Sequence, residues 1–130
     1  MKFTTFFAAS ALSMIAGAVS ADSYGNAYHA PASADAGYNM LADATGMTLY
    51  IFDNDSHEAS KCYGGCAADW PPFYAKSDAA PYGHFTVHKR TDDTYQWVWQ
   101  GKPLYYWRGD KKPGDKGGDG MGGYWHVVYR

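Results

Sequence analysis

Two stretches of this chain carry one pattern. Leu49-Tyr50-Ile51-Phe52-Asp53-Asn54-Asp55 and Leu104-Tyr105-Tyr106-Trp107-Arg108-Gly109-Asp110 share Leu-Tyr-x-aromatic-x-x-Asp, 55 residues apart, each behind a glycine-bearing turn at Gly46 or Gly101. Side chains alternate between the faces of an extended chain, so Tyr50 and Phe52 share one face, and Tyr105 and Trp107 share another. A repeat of this length inside 130 residues leaves room for one duplicated unit. The expectation is a single β domain over 38–130, with copies at about 39–75 and 85–129.

The rest of the chain supports that reading. Met40-Leu41-Ala42, the turn Asp43-Ala44-Thr45-Gly46 and the run Met47 to Phe52 read as a hairpin whose second strand lies inside. Asp53 to Ser56 ends that strand with turn-forming side chains. Trp70-Pro71-Pro72-Phe73 excludes a central strand, because proline cannot donate to a ladder, and Ala67 to Trp70 fits one helical turn. Phe85 to Arg90 and Tyr95 to Trp99 read as strands around Thr91-Asp92-Asp93, the second with three aromatic residues on one face. A glycine-rich loop over 108–123 leads to a last strand at Tyr124 to Tyr129. The predicted fold is mainly β: a small antiparallel sheet, sandwich or barrel built from two similar hairpin repeats, with one short disulfide loop.

The first residues look like a secretory signal. Lys2 is followed by an apolar stretch from Phe3 to about Val19, and Val19-Ser20-Ala21 offers small residues for cleavage after Ala21. Thr4, Thr5, Ser10, Ser13 and Gly17 dilute that stretch below what a spanning helix needs, so no membrane span is expected after cleavage. Residues 22–37 read as a flexible lead-in. Thirteen acidic against eleven basic residues argue against a nucleic-acid partner. In an exported chain Cys62 and Cys66 default to a disulfide, with Gly64 and Gly65 easing the tight loop. A redox pair is the sharper alternative, weakened by a three-residue spacing where redox motifs have two.

At this point the chain resembles the bacterial secreted-repeat proteins, often lipoproteins, defined by a Tyr-x-(Phe/Trp/Tyr)-x-x-Asp motif. The likeness covers residues 39–129. It includes Cys62 to Cys66, the run Cys66-Ala67-Ala68-Asp69-Trp70-Pro71-Pro72 and the closing segment Gly118 to Val128. The chain departs in having no lipid-attachment cysteine. The resemblance implies an envelope location, periplasmic or secreted, for a group of unknown function.

Candidate site residues follow from the motif: Tyr50, Phe52, Asp55, Tyr105, Trp107 and Asp110. Asp55 and Asp110 suit capping of the turn after each strand; as ligands or acid–base groups they would have to meet in one cleft. Aromatic stripes build cores more often than sites, but an exposed stripe would stack on sugar rings or a partner protein. Asp53, Asp55, His57 and Glu58 cluster closely enough to suggest a hard cation, without the spacing of a known calcium loop. No cofactor is implied, and no nucleophile elbow, zinc helix or phosphate loop is present. Two readings remain: a non-catalytic envelope module binding a partner or glycan, or a periplasmic metal-binding or redox-linked protein.

Overall fold

A computed structural model describes residues 28–33 and 36–130. The signal segment 1–21, and the lead-in before residue 28, lie outside the described residues. Along the chain run β1 (Tyr50–Phe52), α1 (Gly65–Asp69), β2 (Tyr74–Ala75), β3 (Phe85–Lys89), β4 (Tyr95–Trp99), β5 (Lys102–Pro103), a 3-10 turn (Met121–Gly123) and β6 (Trp125–Val127). All pairings of named strands are antiparallel: β1 with β6, and a four-stranded sheet in which β4 sits between β2 and β3 and also pairs β5. The sheets stay open, so of the expected alternatives the closed barrel is not formed.

Local chemistry sets the turns. The Asp43 carboxylate accepts Thr45 N (2.9 Å), Thr45 Oγ1 (2.7 Å) and Met47 N (3.0 Å), so one side chain holds the whole first hairpin turn. Gly46 closes it at φ 91°, where a Cβ would also come within 2.8 Å of Tyr38 Oη. Between β3 and β4, Arg90 N reaches Thr94 O (2.7 Å) across the expected turn. The predicted helical turn is α1, and the Cys62–Cys66 disulfide clips its entrance with 5.3 Å between Cα atoms.

β4 departs from the one-faced stripe read in the sequence. Gln96, Trp97 and Val98 are all buried, while Tyr95 and Trp99 are only partly so. A strand with neighbours on both edges and packing on both faces has no solvent side. The lead-in also contributes. Pro31 and Ala32 are buried and bridge the first hairpin (Ala32 N to Ala42 O, 3.0 Å; Ala44 N to Ala30 O, 2.8 Å), just as β3 flanks β4 in the second repeat.

The two repeats do not sit side by side; they complete each other. β6, from the second repeat, lies on β1 of the first. β2, from the first, lies on β4 of the second, and Pro72 bridges Tyr105. At the centre Tyr50 and Tyr105 exchange backbone bonds in both directions, 2.8 and 3.0 Å. Strands of two to five residues are too short to persist alone, so each repeat depends on the strand it borrows. The connection from Lys76 to His84 is mostly exposed. A cut within it is expected to give two pieces that are each unfolded alone and regain the native near-ultraviolet dichroism when mixed; two independently folded pieces would contradict the exchange.

Candidate functional site

Each motif tyrosine is bonded to the aspartate of the other copy. Tyr50 Oη donates to Asp110 Oδ2 at 2.6 Å, and Tyr105 Oη donates to Asp55 Oδ2 at 2.7 Å. The second carboxylate oxygen of each acid holds its own loop: Asp55 Oδ1 accepts Lys61 N (2.8 Å) and Asp110 Oδ1 accepts Gly117 N (2.9 Å). The acids therefore do cap their turns, and they also cross to the opposite repeat. They do not open into one shared cleft.

Burial, then the hydrogen bond to Asp110, pushes the Tyr50 phenol far above its ordinary value of 10. Burial, then the charge of Asp55, does the same to Tyr105. Burial also raises the Asp55 carboxyl, against the hydrogen bonds from Tyr105 and Lys61 N that favour its charged form.

The motif aromatics form a column around this crossing. Phe52 stacks on Trp125 (centroids 4.2 Å, 11°), Trp125 on Trp70 (3.9 Å, 3°), and Trp70 leans on Trp107 (4.5 Å, 37°). Tyr50 meets Trp70 edge-on at 5.2 Å, and Tyr105 meets Trp125 edge-on at 5.1 Å. The arrangement is two-fold: Phe52 answers to Trp107, Trp70 to Trp125 and Tyr50 to Tyr105. Trp70 and Trp125 are buried, the two end rings partly exposed. Gly118 lies where a Cβ would strike the Trp70 and Trp107 rings.

A buried cation supports one side. Arg90, 2% exposed, donates through Nη1 to Ser60 Oγ (2.9 Å) and Gln96 Oε1 (2.7 Å), and through Nη2 to the Cys62 carbonyl (2.6 Å). Ser60 Oγ lies 2.6 Å from Tyr105 Oη. With Tyr105 donating to Asp55, Ser60 donates to Tyr105, which makes a chain from guanidinium to carboxylate. The Tyr63 ring covers Arg90 at 4.1 Å.

Among the hollows of the described residues, two bear on the candidate residues. The larger, about 570 Å³, opens where the lead-in, β3, β4 and the last residues converge. Its walls are Tyr82, Phe85, Trp99 and Tyr129, with Ser33, His84, Gln100 and Arg130 among the polar groups. The smaller, about 250 Å³, is polar and lies between Phe52, Asp53, Asp55, His57 and the turn at Gln100 to Pro103.

A family model described as a secreted repeat of unknown function matches residues 34–74 and 86–129. The chain belongs to this secreted-repeat family. No curated protein and no solved structure matches the chain. The family's description as secreted supports an exported location, and no helix among the described residues is long and apolar enough to cross a membrane. The two matched segments are the two repeats, and the secreted-repeat motif is the part of each that reaches into the other.

The remaining candidates of this secreted-repeat chain are dispersed. Asp53 Oδ2 pairs with His126 Nε2 (2.8 Å), Asp55 turns inward to Tyr105, and the His57 imidazole rests on Gly101. Glu58 N bonds Gly101 O at 2.7 Å. Among the described residues no group of three or more His, Cys, Asp or Glu is placed to hold a metal ion. In the glycine-rich loop, Asp115 accepts Lys111 N (2.9 Å) of the same loop and Asp119 accepts Val127 N (3.1 Å) of β6. Sequence reading missed Arg90, which looked like the charged end of a strand, and missed the larger hollow, whose walls come from four distant segments.

Tyr50→Phe and Tyr105→Phe each remove a buried hydrogen bond to a carboxylate, so each is expected to cost about 2 kcal/mol in urea unfolding. Stability of the parent protein is also expected to fall at alkaline pH. Below pH 10 both folded and unfolded chains hold these phenolic protons. Above it the unfolded chain releases them first, so the folded state binds more protons and stability drops as pH rises towards the raised folded values. Unfolding free energies measured from pH 9 upward should decline less steeply in each Phe variant than in the parent.

Proposed function

We propose that this protein is a non-catalytic envelope module, processed after Ala21 and working in the periplasm, that binds a glycan in the 570 Å³ hollow. The observation that carries this reading is the wall chemistry. Tyr82, Phe85, Trp99 and Tyr129 supply ring faces, and Ser33, His84, Gln100 and Arg130 supply hydrogen-bonding groups beside them. A sugar ring has an apolar C–H face and a hydroxylated edge, so it pairs with rings on one side and polar groups on the other. Mostly apolar concavities with a few convergent polar groups are where proteins hold small ligands. Tyr82 and Tyr129 are 44% and 59% exposed, so the rings are open to solvent and to a ligand.

The motif residues stand apart from that role. Their polar atoms are committed to the crossing between repeats, which holds β3, β4 and the chain end in fixed relation around the hollow.

The test is calorimetric titration with soluble peptidoglycan fragments and neutral oligosaccharides. Saturable binding is expected, weakened at least tenfold in Trp99→Ala, a loss of about 1.4 kcal/mol or more. No saturable binding by a folded protein would sink the glycan reading; specific capture of one envelope protein that Trp99→Ala abolishes would replace the glycan by that partner.

A further inference from the structure

The described residues form two hydrophobic cores, and of these the second is stacked. In the first, Phe73, Tyr106, Phe85 and Trp97 meet at 5.5 to 6.4 Å, tilted or edge-on, amid Leu41, Leu49 and Leu104. Filling an interior asks no more than that. In the second, three tryptophans lie in sequence at 3.9 and 4.5 Å, with a tyrosine against each of the two inner ones. Tryptophan and tyrosine are among the side chains most readily oxidised by one electron, and this series runs without a break from partly exposed Trp107 to the buried phenols.

We infer that the column is a relay for one-electron oxidation, carrying the electron deficit from Trp107 through Trp70 and Trp125 to Tyr50 and Tyr105, whose phenolic protons pass to Asp110 and Asp55. A surface-bound one-electron oxidant, of the class of a peroxyl or carbonate radical, takes an electron from Trp107 and is itself reduced. Trp70 refills Trp107. Tyr50 then gives one electron to Trp70 and its proton to Asp110 Oδ2, leaving a neutral phenoxyl radical and a protonated acid. On the other branch, Trp125 refills Trp70, and Tyr105 gives its electron to Trp125 and its proton to Asp55 Oδ2. Each event consumes one oxidant and one phenolic O–H bond.

Geometry supplies what each step needs. The acceptor oxygens stand 2.6 and 2.7 Å from the phenols, within direct proton-transfer reach. Tyr50 and Tyr105 are 0% exposed, so a dissolved oxidant does not meet them directly. Their raised proton affinity keeps the phenols protonated, so the electron must leave with the proton. Phe52, at the far end, is hard to oxidise, which leaves Trp107 as the column's entry. The relay is independent of the glycan reading, because no ring of the column lines the 570 Å³ hollow.

The experiment is flash oxidation of the intact protein with photogenerated tris(bipyridine)ruthenium(III), read by paramagnetic resonance after rapid freezing. In a background with exposed Tyr28, Tyr38, Tyr82, Tyr124 and Tyr129 replaced by phenylalanine, which removes direct attack by the oxidant on open phenols, the protein is expected to give a neutral tyrosyl signal whose formation slows several-fold in deuterium oxide. Tyr50→Phe and Tyr105→Phe should each lower it about twofold, and the double variant should leave the deficit on tryptophan. Trp107→Leu, at the partly exposed end, keeps both Tyr–Asp bonds and should cut the tyrosyl yield several-fold even if the double variant fails to fold. A yield indifferent to Trp107, a signal that survives in a folded double variant, or no deuterium effect would overturn the relay.

Discussion

The crossed pair of tyrosine–aspartate bonds is the constraint on which the rest of this structure depends. Each bond links residues of opposite repeats, through Tyr50 to Asp110 and Tyr105 to Asp55, at the point where the two motif strands exchange backbone hydrogen bonds. A buried carboxylate must be served on both oxygens or it costs stability. Here the second oxygen takes a backbone N–H of its own loop, so a single acid fixes a loop and a partner repeat together. The tryptophan column then fills the space beside the crossing, and its two-fold order follows from that of the bonds.

Much of the architecture was legible in the sequence because it is local. The hairpin turn at Asp43 to Gly46, the strands β3, β4 and β6, the helical turn after the cysteines and the disulfide loop all rest on residues close together in the chain. The family resemblance drawn from the motif, the cysteines and the Trp-Pro-Pro run agrees with the family match. What the sequence left open is pairing at a distance. Capping of the local turns was visible in the position of Asp55 and Asp110, but nothing in their spacing tells which tyrosine each one meets. Arg90 was hidden for the same reason: its partners come from two other segments, the loop at Ser60 to Cys62 and Gln96 of β4. Pro31 and Ala32 carry no periodic signal, and their pairing becomes apparent only when the first repeat is laid over the second.

The two repeats share a plan and differ in how they serve it. Tyr50 accepts a backbone N–H from Gly118, whereas Tyr105 is approached by the Ser60 hydroxyl, itself held by Arg90. The motif loop of the first repeat is held by its own disulfide and by the buried guanidinium of Arg90 from the second repeat. The second uses glycines that let the backbone close on the Trp70 and Trp107 rings. A charge so deeply placed is costly unless fully hydrogen-bonded or paired, and Arg90 is placed beside Asp92, with Nε 3.7 Å from its carboxylate. The duplicated plan tolerates this divergence because only the crossing atoms must match.

The exchange of return strands also sets the order in which a secreted chain of this kind can acquire its shape. A polypeptide threaded through a translocation channel emerges amino end first, and β6 is among the last segments to arrive. Until it does, β1 lacks its ladder partner and keeps only the single bridge to Tyr105. Non-local pairing of this sort delays closure of the native state. The same geometry that interlocks the finished domain therefore leaves its amino-terminal repeat incomplete until the carboxyl-terminal strand is available.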